Sequence, residues 1–195
     1  FTPERVEAAK KMARTDTLRA AAARDIIAQA DDLLARNDVR RMEYLALAYQ
    51  WTGQDKYADK LRTMLLDIAA IPSWADKEMM ARDPQWRSEL QMAHRAFQIA
   101  LAYDAVYHRL SPADRATIAR GVWRLAAEPL LGDWLLDPAR IHSLNSMGHN
   151  WWTSCVGMGG LLALAISNEL PEAASAAQQA VEALPEWFES VSYTH

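Results

Sequence analysis

A single cysteine, Cys155, stands in a chain of 195 residues, so no intrachain disulfide can form and the compartment stays open. The five histidines, His94, His108, His142, His149 and His195, include no i, i+4 pair, which removes the usual helical zinc motif. A phosphate-cradling loop, a dinucleotide fingerprint and a serine nucleophile elbow are all missing. No apolar run reaches the roughly 18 residues that a membrane span needs. Basic charge is not in excess either: 21 Lys and Arg face 25 Asp and Glu, a net −4, which gives no global field for nucleic acid or acidic polymers. An acidic ligand would need a local cluster of cationic side chains. Strand alternation and hairpin dipeptides are also lacking, and what remains is helix.

The helical pattern fills most of the chain. Thr2-Pro3-Glu4 supplies a cap and a proline at the first helical position, opening a helix over 3–14. A second helix is expected over 17–36, with Leu18, Ala22, Ile26, Ala30 and Leu33 inward. A third covers 39–52 and stops at Gly53, and a fourth covers 55–70 and is closed by Pro72. Residues 72–87 break the periodicity with Pro72, Trp74, Lys77, Arg82, Pro84, Trp86 and Arg87. A connection of this length is either functional or pins its tryptophans into the core edge. The fifth helix, 88–109, is apolar on most sides, and Asp104 within it reads as a buried hydrogen-bond acceptor. Ser111 to Asp114 forms a capping box for a sixth helix to about 127. Residues 128–147 read as a second irregular connection, carrying Trp134, Arg140, His142 and Asn145. A helix over 149–167 follows, then one over 171–190 that Pro185 kinks or restarts. Helices of similar length joined by turns predict an all-α fold of antiparallel hairpins in a single domain, 1–195.

Residues 149–166 organise the chemistry. The second half of this helix is small and apolar, so burial is expected. Its first turn brings together the imidazole of His149, the amide of Asn150 and the indoles of Trp151 and Trp152. Adjacent indoles point about 100° apart on a helix, so one is expected in the core and the other is a sugar platform. Asn150 reads either as a helix N-cap or as a group that stabilises developing negative charge. Cys155, among apolar neighbours, reads as an inert core thiol.

His149-Asn150-Trp151 followed by Cys155, Gly157, Gly159-Gly160 and Leu161 to Ile166 resembles the Asn-Trp…Cys…Gly segment of heparinase II/III-like polysaccharide lyases. Residues 90–93 and 99–115 are similar to the same family's buried helix and its Leu-Ser helix start. Together the two blocks cover about half the chain. The resemblance implies an α/α toroid, incomplete over this length, that is normally followed by a C-terminal β-sandwich. It implies β-elimination at a uronic acid of an acidic polysaccharide or oligosaccharide, in a periplasmic or secreted setting; no cofactor is predicted, and the residues carry no metal signature. The C5 proton is weakly acidic because the adjacent carboxylate is already negative. Neutralising that carboxylate lets enolate-like charge build up, while a Tyr or His removes the proton. On this basis Asn150 neutralises the carboxylate and His149 assists or acts as base. Trp151, Trp152 and Trp86 are expected to line the cleft, and Arg140 or Arg87 to hold an acidic group. The family's base Tyr falls beyond residue 195, so the chain is expected to be a fragment that binds sugar weakly and turns over little. Neither nucleic acid nor membrane is expected as a partner. Two other readings remain open: a tetratricopeptide-like interaction module, and a toroid hydrolase of the unsaturated glucuronyl type, for which Asp104, Asp133 and Asp137 are the acidic candidates.

Overall fold

The computed structural model describes residues 2–36, 41–136 and 150–192, apart from the side chains of 190–192. Among these residues the chain is all helix and turn, with no strand. The elements are α1 (Pro3–Ala13), α2 (Thr17–Leu34), α3 (Met42–Thr52), α4 (Asp55–Ala69), the single turn α5 (Lys77–Met80) and α6 (Leu90–Val106). Then come α7 (Pro112–Val122), α8 (Glu128–Trp134), α9 (Asn150–Ala165), α10 (Pro171–Glu182) and α11 (Leu184–Ser192). Pro185 restarts the last helix, as the sequence predicts.

Caps written in the sequence set these boundaries. The Thr2 hydroxyl accepts from the Arg5 N–H at 3.4 Å, and the Asp16 carboxylate accepts from Leu18 and Arg19 at 3.0 and 3.1 Å. Ser111 accepts from the Asp114 N–H at 3.1 Å. Each satisfies donors that the first helical turn leaves unpaired. Gly53 ends α3 at φ +68, a left-handed conformation that costs glycine little.

Alternate helices form a row. α6 packs against both α3 and α9, while α4, α8 and α10 lie against this row as a second layer, with α7 packed on α4. The core runs between these two layers, through Leu45, Tyr57, Leu65, Met92, Ile99, Leu130 and Leu162. α4 and α7 approach closely at Gly121, where a Cβ would sit 2.6 Å from the Ala69 Cα and carbonyl oxygen. α1 packs on α2 and buries none of its residues.

Several expectations need correction. Residues 128–134 are helical, not part of an irregular connection. A π turn over Trp123–Ala127 joins α7 to α8. Pro129 lacks an N–H and its ring crowds the preceding turn, and a widened turn relieves both problems. Leu18 is 78% exposed, because α2 buries only Ala30 and Leu33. Asp104 is exposed rather than buried. α9 is buried on one side only: Asn150, Thr153, Gly157, Leu161 and Leu164 form an exposed stripe, Leu164 at 57%. The same spacing exposes His94, Phe97 and Asp104 on α6. These stripes lie on the side of the row away from the second layer.

Candidate functional site

The start of α9 carries the residues that the sequence singles out. Asn150 is its first residue and is exposed. Trp151 and Trp152 diverge as helix geometry requires: Trp152 is 3% exposed in the core, whereas Trp151 is half-buried. Trp152 therefore offers no face to a ligand. Trp151 joins an indole cluster instead. Trp86 meets Trp151 edge to face at 5.4 Å and Trp134 at 5.5 Å, and Trp134 lies 6.4 Å from Trp151. The three rings come from the loop before α6, the end of α8 and the first turn of α9. Each such contact contributes about 0.5–1.5 kcal/mol beyond area burial.

A buried polar tie lies next to the indoles. Asp133 is fully buried and accepts from the backbone N–H groups of Arg87 and Ser88, both at 2.7 Å. The Trp134 indole N–H donates to the buried Ser88 hydroxyl at 2.8 Å. Arg87 forks onto Glu128, with one arm at 2.7 Å and the second arm on the other carboxylate oxygen, and its Nε lies 3.8 Å from Asp133. This bidentate pair fixes the loop before α6 to α8. It also neutralises the guanidinium expected to hold an acidic sugar group.

The thiol of Cys155 is buried and is pushed up to about 12. Burial is the largest cause, the charges of Asp133 and Glu89 add to it, and a hydrogen bond with Ser88 partly offsets it. It stays protonated at neutral pH and is no nucleophile.

Sequence reasoning did not assign Arg82 to the site. The Met79 carbonyl accepts from the backbone N–H of both Arg82 and Trp86, at 3.2 and 3.1 Å. This closes the loop and sets the Arg82 guanidinium over the Trp86 ring, 4.7 Å from its centroid. The signal was present as two residue types four apart in a proline-bearing connection, but only the fold shows that they stack.

Tyr103 and Tyr107 do not supply a base at this end. Both lie near the far end of α6, and Tyr103 is about 20 Å along the helix from its start at 1.5 Å per residue. The Tyr107 hydroxyl donates to Glu169 at 3.1 Å, and the Arg115 Nε lies 3.7 Å from the same carboxylate. Burial, then the neighbouring Glu169, raises the Tyr103 hydroxyl above its ordinary range, so its proton is harder to remove.

His149, Arg140 and Asp137 lie outside the described residues. Of the acidic candidates for a hydrolase, Asp133 is enclosed and committed to Arg87 and Ser88, while Asp104 is exposed on α6. Among the described residues no three His, Cys, Asp or Glu side chains are placed to hold a metal ion, and no helix is long and apolar enough to cross a membrane. An apolar hollow of about 610 Å³ lies elsewhere, between α1, α2, α3 and α6, lined by Val6, Met12, Ile26, Leu47, Trp51 and Leu101. Compared with known families and with curated proteins, the chain matches none.

Proposed function

We propose that this chain is the N-terminal helical part of a polysaccharide lyase that cleaves a uronate-containing glycan by β-elimination. The observation that carries this reading is the exposed Asn150 amide at the start of α9, next to the half-buried Trp151 of the indole cluster. An amide N–H and the positive end of a 16-residue helix both favour a carboxylate there. The carboxylate is where charge builds up as the C5 proton leaves, so stabilisation at that point lowers the barrier. Trp151 and Trp86 give a sugar ring an apolar neighbour. The row of alternate helices α3, α6 and α9, with exposed stripes on α6 and α9, is the arrangement expected of an arc of an α/α toroid.

Tyr103 and Tyr107 are at the far end of α6, His149 lies outside the described residues, and the resemblance puts the family's Tyr base beyond residue 195. The chain alone therefore binds acidic oligosaccharide and turns it over little. Titration with an oligouronate, followed by tryptophan fluorescence, tests the reading. Binding is expected to weaken about tenfold in Asn150→Ala, the loss of one hydrogen bond to a charged group. Product absorbance from the chain alone should stay near background. An Asn150→Ala variant that binds like the parent would sink this assignment, and robust turnover by the chain alone would refute its incompleteness.

The apolar hollow between α1, α2, α3 and α6 favours a second reading, a helical interaction module that takes an apolar peptide. That reading expects a peptide, not a glycan, to protect Trp51 from quenching.

A further inference from the structure

Two arginines flank Trp86, and the structure gives them opposite roles. Arg87 is half-buried and spent on Glu128 and Asp133. Arg82 is exposed, and among the described residues no carboxylate pairs with it; its contact is the face of Trp86. We infer that Arg82, over the Trp86 ring beside Asn150's helix, is a second residue that grips a carboxylate of the acidic glycan, in addition to Asn150. This inference rests on the glycan reading of the α9 mouth and names a specificity residue within it.

The geometry supports this in three steps. First, the contact of Arg82 with the Trp86 ring, 4.7 Å from its centroid, pairs the guanidinium with no carboxylate. The arginine therefore still presents a two-pronged donor to a planar carboxylate. Second, the side chain is partly pre-arranged. The Met79 carbonyl holds the backbone of Arg82 and Trp86 in one closed loop, and the Trp86 ring is itself fixed by Trp134 and Trp151. Less rotamer freedom is then lost on binding than for a loose surface arginine. Third, the position is right. Trp86 touches Trp151, which follows Asn150 directly, so Arg82 is linked to the start of α9 through one pair of touching indoles. A chain with net charge −4 offers little general attraction for a polyanion, so a cation that pairs with no carboxylate among the described residues selects for one at this point.

The test is tryptophan fluorescence titration of the whole chain with three probes: an oligouronate, its carboxyl-reduced neutral form, and a sulfated neutral oligosaccharide. The variants are Arg82→Ala and Arg82→Lys, with far-UV circular dichroism confirming the fold. Wild type should bind the oligouronate about tenfold more tightly than Arg82→Ala, the worth of one charge-assisted pair. Arg82→Lys should recover only part of that, because an ammonium cannot fork. The reduced oligosaccharide should show no difference between wild type and Arg82→Ala. Oligouronate binding by wild type that is unchanged in Arg82→Ala overturns the role of Arg82 and leaves the glycan reading standing. Failure of wild type to bind the oligouronate at all removes both. Tighter, Arg82-dependent binding of the sulfated probe overturns the carboxylate assignment in favour of sulfate.

Discussion

Asp104 lies on the exposed stripe of α6, whereas Asp133 is fully enclosed and accepts two backbone N–H bonds. In the sequence Asp104 reads as a buried acceptor within a helix and Asp133 as part of an irregular connection. The difference is set by partners more than forty positions away, which no local pattern reveals. The same blindness applies to the arginines. Arg87 reads as a free cation until the fold brings Glu128, 41 residues on, against it. Removing Asp133 should therefore be costly. Asp133→Ala orphans the N–H groups of Arg87 and Ser88 and leaves a partly buried guanidinium with one carboxylate instead of two. Breaking a buried pair of this kind costs about 3–5 kcal/mol, and the partial exposure of Arg87 places the expected loss near the lower end. Urea unfolding should show a clearly lower midpoint for Asp133→Ala and a smaller shift for Asp133→Asn, which keeps one acceptor oxygen. Equal stability of Asp133→Ala and wild type would mean that the tie between α8 and the loop before α6 contributes nothing.

At the scale of elements, helix starts were legible because capping is local. Ser111 and Asp114 stand three apart, and the structure pairs the hydroxyl with the N–H as the motif demands. Faces were less legible. α9 is apolar nearly all round, so its periodicity could not show that Leu161 and Leu164 face outward while Leu162 is enclosed. The π turn between α7 and α8 was invisible as well, since Pro129 reads as a stop unless the preceding turn widens. The α4–α7 pair carries a pH-dependent link. Arg62 reaches from α4 to fork onto Asp114 in the first turn of α7, at 2.8 and 3.2 Å. That hydrogen-bonded guanidinium is the main cause holding the Asp114 carboxyl below its usual range, with Ser111 assisting and burial opposing. A carboxyl depressed in the folded state adds stability above its unfolded pKa of about 4, and that stability disappears as pH falls through the folded value. Asp114→Asn should then unfold at lower urea than wild type at pH 7, with the gap closing below about pH 4. The Ser111 cap, which uses the backbone N–H of residue 114, survives the substitution. A gap that persists unchanged in acid would mean that the link is not electrostatic.

Across the whole molecule, stability should follow the two-layer packing rather than chain order. α6 buries nine of its residues and touches both neighbours in the row as well as α4 behind, whereas α1 buries none and rests on α2. α2 is held in turn by polar reach from α4, where Lys56 and Tyr57 both bond to Asp31, at 2.6 and 2.9 Å. The Lys56 bond lies at the solvent edge, where water competes for it, whereas the Tyr57 hydroxyl reaches Asp31 from a buried ring. The general all-helical form was legible because it is the sum of many local periodicities. The order of layers was not, since it depends on which apolar face meets which. Local opening needs few contacts to be broken at α1 and many at α6, so the free energy of opening should rise from one to the other. Native-state hydrogen exchange is expected to be fastest in Pro3–Ala13, intermediate in Thr17–Leu34 and slowest in Leu90–Val106 and the buried side of Asn150–Ala165. The slowest amides there should exchange only through global unfolding and so report the same free energy as urea titration. Protection in α1 equal to that in α6 would show that the first helix belongs to the cooperative core, and the apolar hollow beneath it would then be a fixed part of the fold rather than a yielding edge.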